Sequence, residues 1–127
     1  MEREVVVRTV EGGPYRNEAA AGAHCWPADG GTDIGGGDAA PAPFDLLLSA
    51  LGACTNMTVR MYADRKGWAL RGIEVRMTRN PETGIRRTIR FDGDLDADQR
   101  KRLLEVADKC PVHKALVAGI PVATEPA

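Results

Sequence analysis

Two sulfur atoms set the chemical question in this chain of 127 residues. Cys54 lies in "LGACT", within an apolar stretch, and Cys110 opens "CPVH". Thiolates are nucleophiles, and two thiols can interconvert between a reduced pair and a disulfide. The setting of Cys110 favours ionisation. Pro111 breaks a helical pattern, because the residue before a proline is steered out of helical geometry. Backbone N–H groups of the helical segment that restarts there are then free to point at the sulfur. Lys109 and His113 place positive charge nearby, although a histidine at that position also suits a plain surface. Cys54 differs. About three turns into its helix, it gains little from a dipole that fades beyond the first turn. Alone it reads first as a small apolar side chain in a core, and Cys25 more so. To ionise, Cys54 needs a cation brought over the helix. Arg8, Arg16 and Arg60 are the candidates, each of which also reads as a solvated strand or helix position.

Two other chemistries are weaker on the same residues. His24, Cys25, Cys110 and His113 would supply a Cys₂His₂ zinc set. His24 and Cys25, however, are neighbours on an expected strand, where successive side chains point to opposite faces. Neither CxxC nor HExxH occurs. The run "GGGDAA", Gly35 to Ala40, loosely matches a dinucleotide fingerprint, which works only where a tight turn opens directly into a helix. Pro41 and Pro43 interrupt that geometry, so the run reads as a loop.

These residues must be positioned by a small set of elements. "EVVVRTV" is β-branched and strand-like, "EGGPYR" carries turn residues, and Tyr15 to Trp26 reads as a second strand pairing back as a hairpin. Pro27 to Pro43 is a long Gly/Pro/Asp loop. A helix is expected from Pro43 to Lys66, with Asp45 in its first turn, Arg65 and Lys66 in its last, and Gly67 as its stop. "GIEVRMT" and "IRRTIRF" alternate as strands joined by "NPETG". "DLDADQRKRLLEVADKC" is a second helix with Asp96 as N-cap and Gln99 three residues on, burying Leu103, Val106, Ala107 and Cys110. "PVHKALVAG" restarts a short helix, and "IPVAT" reads as a last strand. The expected order is ββ-α-ββ-α-β, an α+β fold in a single domain spanning 1–127.

Composition narrows the classes. With 43% hydrophobic residues and a net charge of −1, the chain can bury one modest core but has no concentrated basic face for nucleic acid or anionic lipid. "MEREVVVRTV" has acids where a leader would be basic, and no apolar run is long enough for a membrane span. Three scattered cysteines do not make a secreted disulfide framework. The expectation is a soluble, cytoplasmic protein. The first helix carries Phe44, Leu47, Leu48, Leu51, Met57 and Met61 on several faces, more than one small sheet can cover. A second copy of the chain is the simplest cover, so a homodimer is expected.

"GGGDAAPAPFDLLLSALGACTNMTVRMYADRKGW" followed by "GDLDADQRKRLLEVADKCPVHKAL" resembles the OsmC family, named for osmotically inducible protein C and related to the organic hydroperoxide resistance proteins. The resemblance covers most of the chain. It implies an intertwined α+β homodimer, with the two cysteine-bearing helices packed between sheets and active sites at the subunit interface. It further implies a thiol-dependent peroxidase with Cys54 as the attacking thiol and Cys110 as its partner. A cation near Cys54 holds it as thiolate, which attacks an organic hydroperoxide. The sulfenic acid condenses with Cys110, and an external dithiol resets the pair, with no bound cofactor. Leu51, Met57, Met61 and Tyr62 are candidates for an apolar entrance. In the peroxidase branches a glutamate follows the helix-opening proline and pairs with an N-terminal arginine. Here Phe44 takes that place and Asp45 comes one residue later, about 100° around the helix. Arg16, after "GGPY", is the matching arginine. The rival reading is a redox or ligand-binding protein whose thiols never turn over.

Overall fold

The computed structural model describes residues 3–127. Met1 and Glu2, part of the opening stretch read against a leader, lie outside them. The chain forms two compact units, Met1–Leu47 and Leu48–Ala127.

The first unit is built on an antiparallel meander of β1 (Val6–Thr9), β2 (Asn17–Ala21) and β3 (His24–Ala28). The extended run expected from Tyr15 to Trp26 is thus two strands rather than one. Gly22 divides it, because its φ of 59° is a left-handed conformation that turns the chain back within two residues. Ala19 and Ala21 are buried on β2. Beyond β3 the Gly/Pro-rich loop is closed by one side chain. Buried Asp29 accepts hydrogen bonds from the N–H groups of Gly30 (2.8 Å) and Ala39 (3.0 Å). The Asp29 N–H in turn donates to the Pro41 carbonyl at 3.1 Å.

Helix α1 (Pro43–Lys66) starts at the end of the first unit and runs through the second, with the bounds its proline, acid and glycine signals require. Its buried residues in the second unit, Leu51, Thr55, Val59 and Ala63, recur every four positions. β4 (Ala69–Asn80) and β5 (Gly84–Asp94) form an antiparallel hairpin in which Ile73 faces Phe91 and Val75 faces Ile89. α1 approaches β4 closely at Gly52, where a Cβ would stand 2.7 Å from the Met77 methyl carbon.

α2 (Ala97–Ala107) opens with a capping box. The Asp96 carboxylate accepts from the Gln99 N–H at 2.8 Å, and the Gln99 side chain accepts from the Asp96 N–H at 2.9 Å. α3 (Pro111–Ala118) follows after a short turn. The core gathers Val59 and Ala63 from α1, Leu70 and Phe91 from the hairpin, and Leu103, Val106 and Ala107 from α2. The α+β class stands, with the order βββαββαα. The last strand expected at "IPVAT" is not formed. Pro121 offers no N–H to a ladder, and Ile120 and Val122 are exposed.

Candidate functional site

The second unit brings Cys54 and Cys110 together. Cys110 is the N-cap of α3, with extended backbone angles that turn its side chain back over the helix start. Its sulfur accepts the His113 N–H at 3.5 Å. Pro111 sacrifices no donor by occupying the first helical position, since an N–H there has no partner within the helix. The Val112 N–H acts on both sulfurs, so the head of α3 points at the pair. Cys110 is fully buried and Cys54 is half-buried one turn below Thr58 on α1. The two thiols lie close enough to influence one another.

Their acidities move apart. Burial pushes the Cys54 thiol up, and its interaction with Cys110 adds to that, outweighing the Val112 N–H and the Thr58 hydroxyl. Burial acts upward on Cys110 too. It is overcome by the interaction with Cys54, by the N–H groups of His113 and Val112 and by the neighbouring Thr55 hydroxyl, so this thiol ends below its ordinary value. The helix-restart argument from sequence therefore describes Cys110 correctly.

A residue that the sequence reading missed completes the cluster. Arg87 on β5 has a side chain only 12% exposed. Its Nη1 donates to Thr55 Oγ1 at 3.0 Å and its Nη2 to Asp108 Oδ1 at 2.8 Å. Thr55 is fully buried, and its hydroxyl donates to the Leu51 carbonyl at 2.7 Å. His113 Nε2 stands 3.9 Å from the same Asp108 oxygen. Arg87 and His113 line a cleft of about 460 Å³ whose other walls are Leu51, Gly84, Ile85, Leu116 and Val117, an apolar surface with two nitrogen-bearing side chains. A larger, shallower depression of about 570 Å³ lies along Arg76, Thr78, Arg86 and Thr88, away from both sulfurs.

The other expected residues are placed as follows. Arg16 and Asp45 belong to the first unit. The Arg16 guanidinium lies 4.0 Å from Asp29, and the Asp45 carboxylate accepts the Ala42 N–H at 3.0 Å, closing the first turn of α1. Arg60 donates to the carbonyls of Leu70 (2.6 Å) and Arg71 (3.2 Å) and so ties α1 to β4. Cys25 is exposed on β3, and register pairs it with Ala20. Of the four residues expected to form an apolar entrance, Leu51 lines the cleft beside Arg87. Met57 lies by Val75 and Met77, Tyr62 packs edge-on against Trp68, and Met61 is exposed. Among the described residues no helix is long and apolar enough to cross a membrane.

Fold and site together define an α+β protein with a helix-capped thiol pair. The family model described as "OsmC-like protein" matches residues 35–125, and the chain belongs to the OsmC family. No curated protein matches significantly. Among solved structures, the chain is similar to an OsmC-like protein from Mycoplasma pneumoniae at 19% identity and a TM-score of 0.74, covering 92% of this chain and 88% of that one. It is also similar to an organic hydroperoxide resistance protein OsmC from Legionella pneumophila, at 18% identity, TM-score 0.65, and 91% and 89% coverage. The organic hydroperoxide resistance protein OhrB of Bacillus subtilis shares 16% identity, with a TM-score of 0.58 and 91% and 90% coverage. At these identities the likeness is one of fold.

Proposed function

We propose that the protein is a thiol peroxidase that reduces organic hydroperoxides, with Cys54 as the attacking thiol and Cys110 as the resolving one. The observation that carries this reading is the contact between a half-buried thiol and a fully buried, more acidic one at the head of α3. Cys54 sulfur attacks the distal peroxide oxygen and becomes a sulfenic acid, releasing the alcohol. Cys110 displaces hydroxide from that sulfur to form the disulfide, and an external dithiol returns both thiols. The apolar cleft beside Arg87 and His113 suits an alkyl hydroperoxide better than hydrogen peroxide, which carries no group to bury. Family membership and the names of the Legionella and Bacillus proteins support the same substrate class. The protein would work in the cytoplasm, where dithiol reductants are maintained, and as a homodimer.

The test is steady-state loss of cumene hydroperoxide with dithiothreitol as reductant. Turnover that exceeds the loss with hydrogen peroxide, and that vanishes in Cys54→Ser, supports the proposal. Stoichiometric oxidation without turnover would instead make the pair a non-enzymatic redox or ligand-binding site.

A further inference from the structure

We propose that the outward face of the β4–β5 hairpin binds a phosphate monoester, its phosphoryl group held between the guanidinium groups of Arg76 and Arg86 and the hydroxyls of Thr78 and Thr88. The proposal is independent of the thiol chemistry, because this face lies on the opposite side of the hairpin from the helix that carries Cys54.

Parity and register build the face. Side chains alternate along a strand, so Ile73, Val75 and Met77 share one side of the hairpin with Arg87, Ile89 and Phe91. That side meets α1, through Met77 at Gly52 and through Arg87 at Thr55. Arg76 and Thr78 on β4, and Arg86 and Thr88 on β5, belong to the other side, and all four are exposed. Register sets Arg76 opposite Thr88 and Thr78 opposite Arg86, which makes a checkerboard of two arginines and two threonines. These four line the depression of about 570 Å³. The fifth lining residue, Met77, directs its side chain the other way, towards Gly52.

The chemistry of that lining is one-sided. A guanidinium only donates hydrogen bonds, and each threonine adds an O–H donor. The two arginines stand diagonally across neighbouring strands, within reach of one another, and like charges paired across a sheet are destabilising. An anion seated between them turns that repulsion into attraction. Arginine meets phosphate oxygens two at a time, with a planar fork that fits them. A phosphoryl group brings three acceptor oxygens and up to two charges, enough for two forks and two hydroxyls. A carboxylate brings two oxygens and one charge. The phosphoryl group fills a small part of the depression, which leaves room for the group it is esterified to.

The surrounding charges favour the same end of the hairpin. From Ala69 to Asp94 the sequence has six arginines against four acids, in a chain whose net charge is −1. On the outward face Glu74 and Asp92 gather at the end away from the turn, where both lie near Arg90, at 3.7 Å and 3.4 Å. Glu74 also accepts from Arg76 Nε at 2.8 Å. That bond orients the Arg76 guanidinium through one edge, and its Nη1–Nη2 edge is a second fork.

The test is a titration of the reduced, full-length chain with glycerol 3-phosphate at constant ionic strength, followed by the backbone amide NMR shifts. The amides of Thr78, Arg86 and Thr88 should shift and saturate, and acetate should bind at least about tenfold more weakly. Arg86→Gln and Arg76→Gln should each raise the dissociation constant about tenfold, and Thr88→Val about threefold, while Thr88→Ser stays near wild type. Arg71→Gln removes the same charge from the same hairpin outside the checkerboard and should change it less than twofold. Circular dichroism confirms each fold, and the two arginine variants are separate tests should one of them not fold. Shifts that fail to saturate, acetate binding as tightly as the phosphate monoester, or an effect of Arg71→Gln equal to that of Arg86→Gln would each overturn the proposal and leave a diffuse basic surface.

Discussion

At the sulfur pair, the two requirements of a nucleophile fall on different atoms. Cys110 is held below its ordinary value, whereas Cys54 is the more exposed of the two thiols. A nucleophile needs access as well as acidity, so within the proposed peroxidase cycle the attacking role is assigned to Cys54. In Cys54→Ser even a single turnover should be lost. Cys110→Ser should still consume about one equivalent of cumene hydroperoxide per site and leave a sulfenic acid on Cys54 that dimedone traps. Mass spectrometry of each variant after one equivalent reads this directly, and a dimedone adduct on Cys110 in Cys54→Ser would reverse the roles. The setting of Cys110 before Pro111 was legible in the sequence by its own physical meaning, whereas Cys54 was marked out only by the family resemblance. Arg87 was not, since no motif marks it. Its signal was parity: in "IRRTIRF" it occupies the same strand face as Ile85, Ile89 and Phe91, and a charge on an otherwise apolar face needs a partner. The partner, Thr55, is 32 positions away in sequence, and only the packing of β5 on α1 joins them.

Among the elements, those with punctuation at both ends formed where their residues required. α1 runs between Pro43 and Gly67, and α2 starts at the Asp96–Gln99 box. Elements defined by composition alone did not behave as well. Tyr15 to Trp26 divided at Gly22, and "IPVAT" has strand-like residues but no ladder to join within its own chain. The loop after β3 shows the opposite case, a segment of loop composition whose two ends are tied to one carboxylate. Asp29 is pulled below its ordinary carboxyl value first by the Ala39 N–H, then by the Gly30 N–H, Arg16 and the Gly37 N–H, against a burial effect that raises it. A carboxylate with a lowered folded value stabilises the fold above its unfolded pKa, and that stabilisation is lost as pH falls through the folded one. The loop should therefore loosen below about pH 4. Asp29→Asn, which has no carboxylate to titrate, should be less stable near neutrality and show a flatter fall in melting temperature between roughly pH 5 and pH 2. Parallel melting curves for the two proteins across that range would remove Asp29 from the account of the loop.

For the molecule as a whole, the unsettled balance is apolar surface. Leu51 is buried, yet Met57 and Met61 on the same helix are 63% and 57% exposed. Phe44 at the start of α1 is 49% exposed, and Val122 beyond α3 is 87% exposed. Single exposed hydrophobes are ordinary, but a central helix that keeps two large thioethers in water gives up stabilisation of roughly 1.5–3 kcal/mol for each side chain left unburied. A charge of −1 offers no long-range repulsion to keep copies apart. A second chain laid over this face would bury Met57 and Met61, and a stable interface of standard size needs about 1,600 Å² in total, more than these two alone provide. The exposed "IPVAT" segment is a further supply of apolar atoms, and in a dimer it would have a partner backbone with which to form the strand its composition favours. Sedimentation velocity at micromolar concentration should therefore give a dimer, and Met57→Glu together with Met61→Glu should weaken association by at least about tenfold while the thiol pair stays reactive to iodoacetamide. A compact wild-type monomer at that concentration, with the circular dichroism of the folded protein, would show that α1 tolerates its exposed face and that the site is complete within one chain.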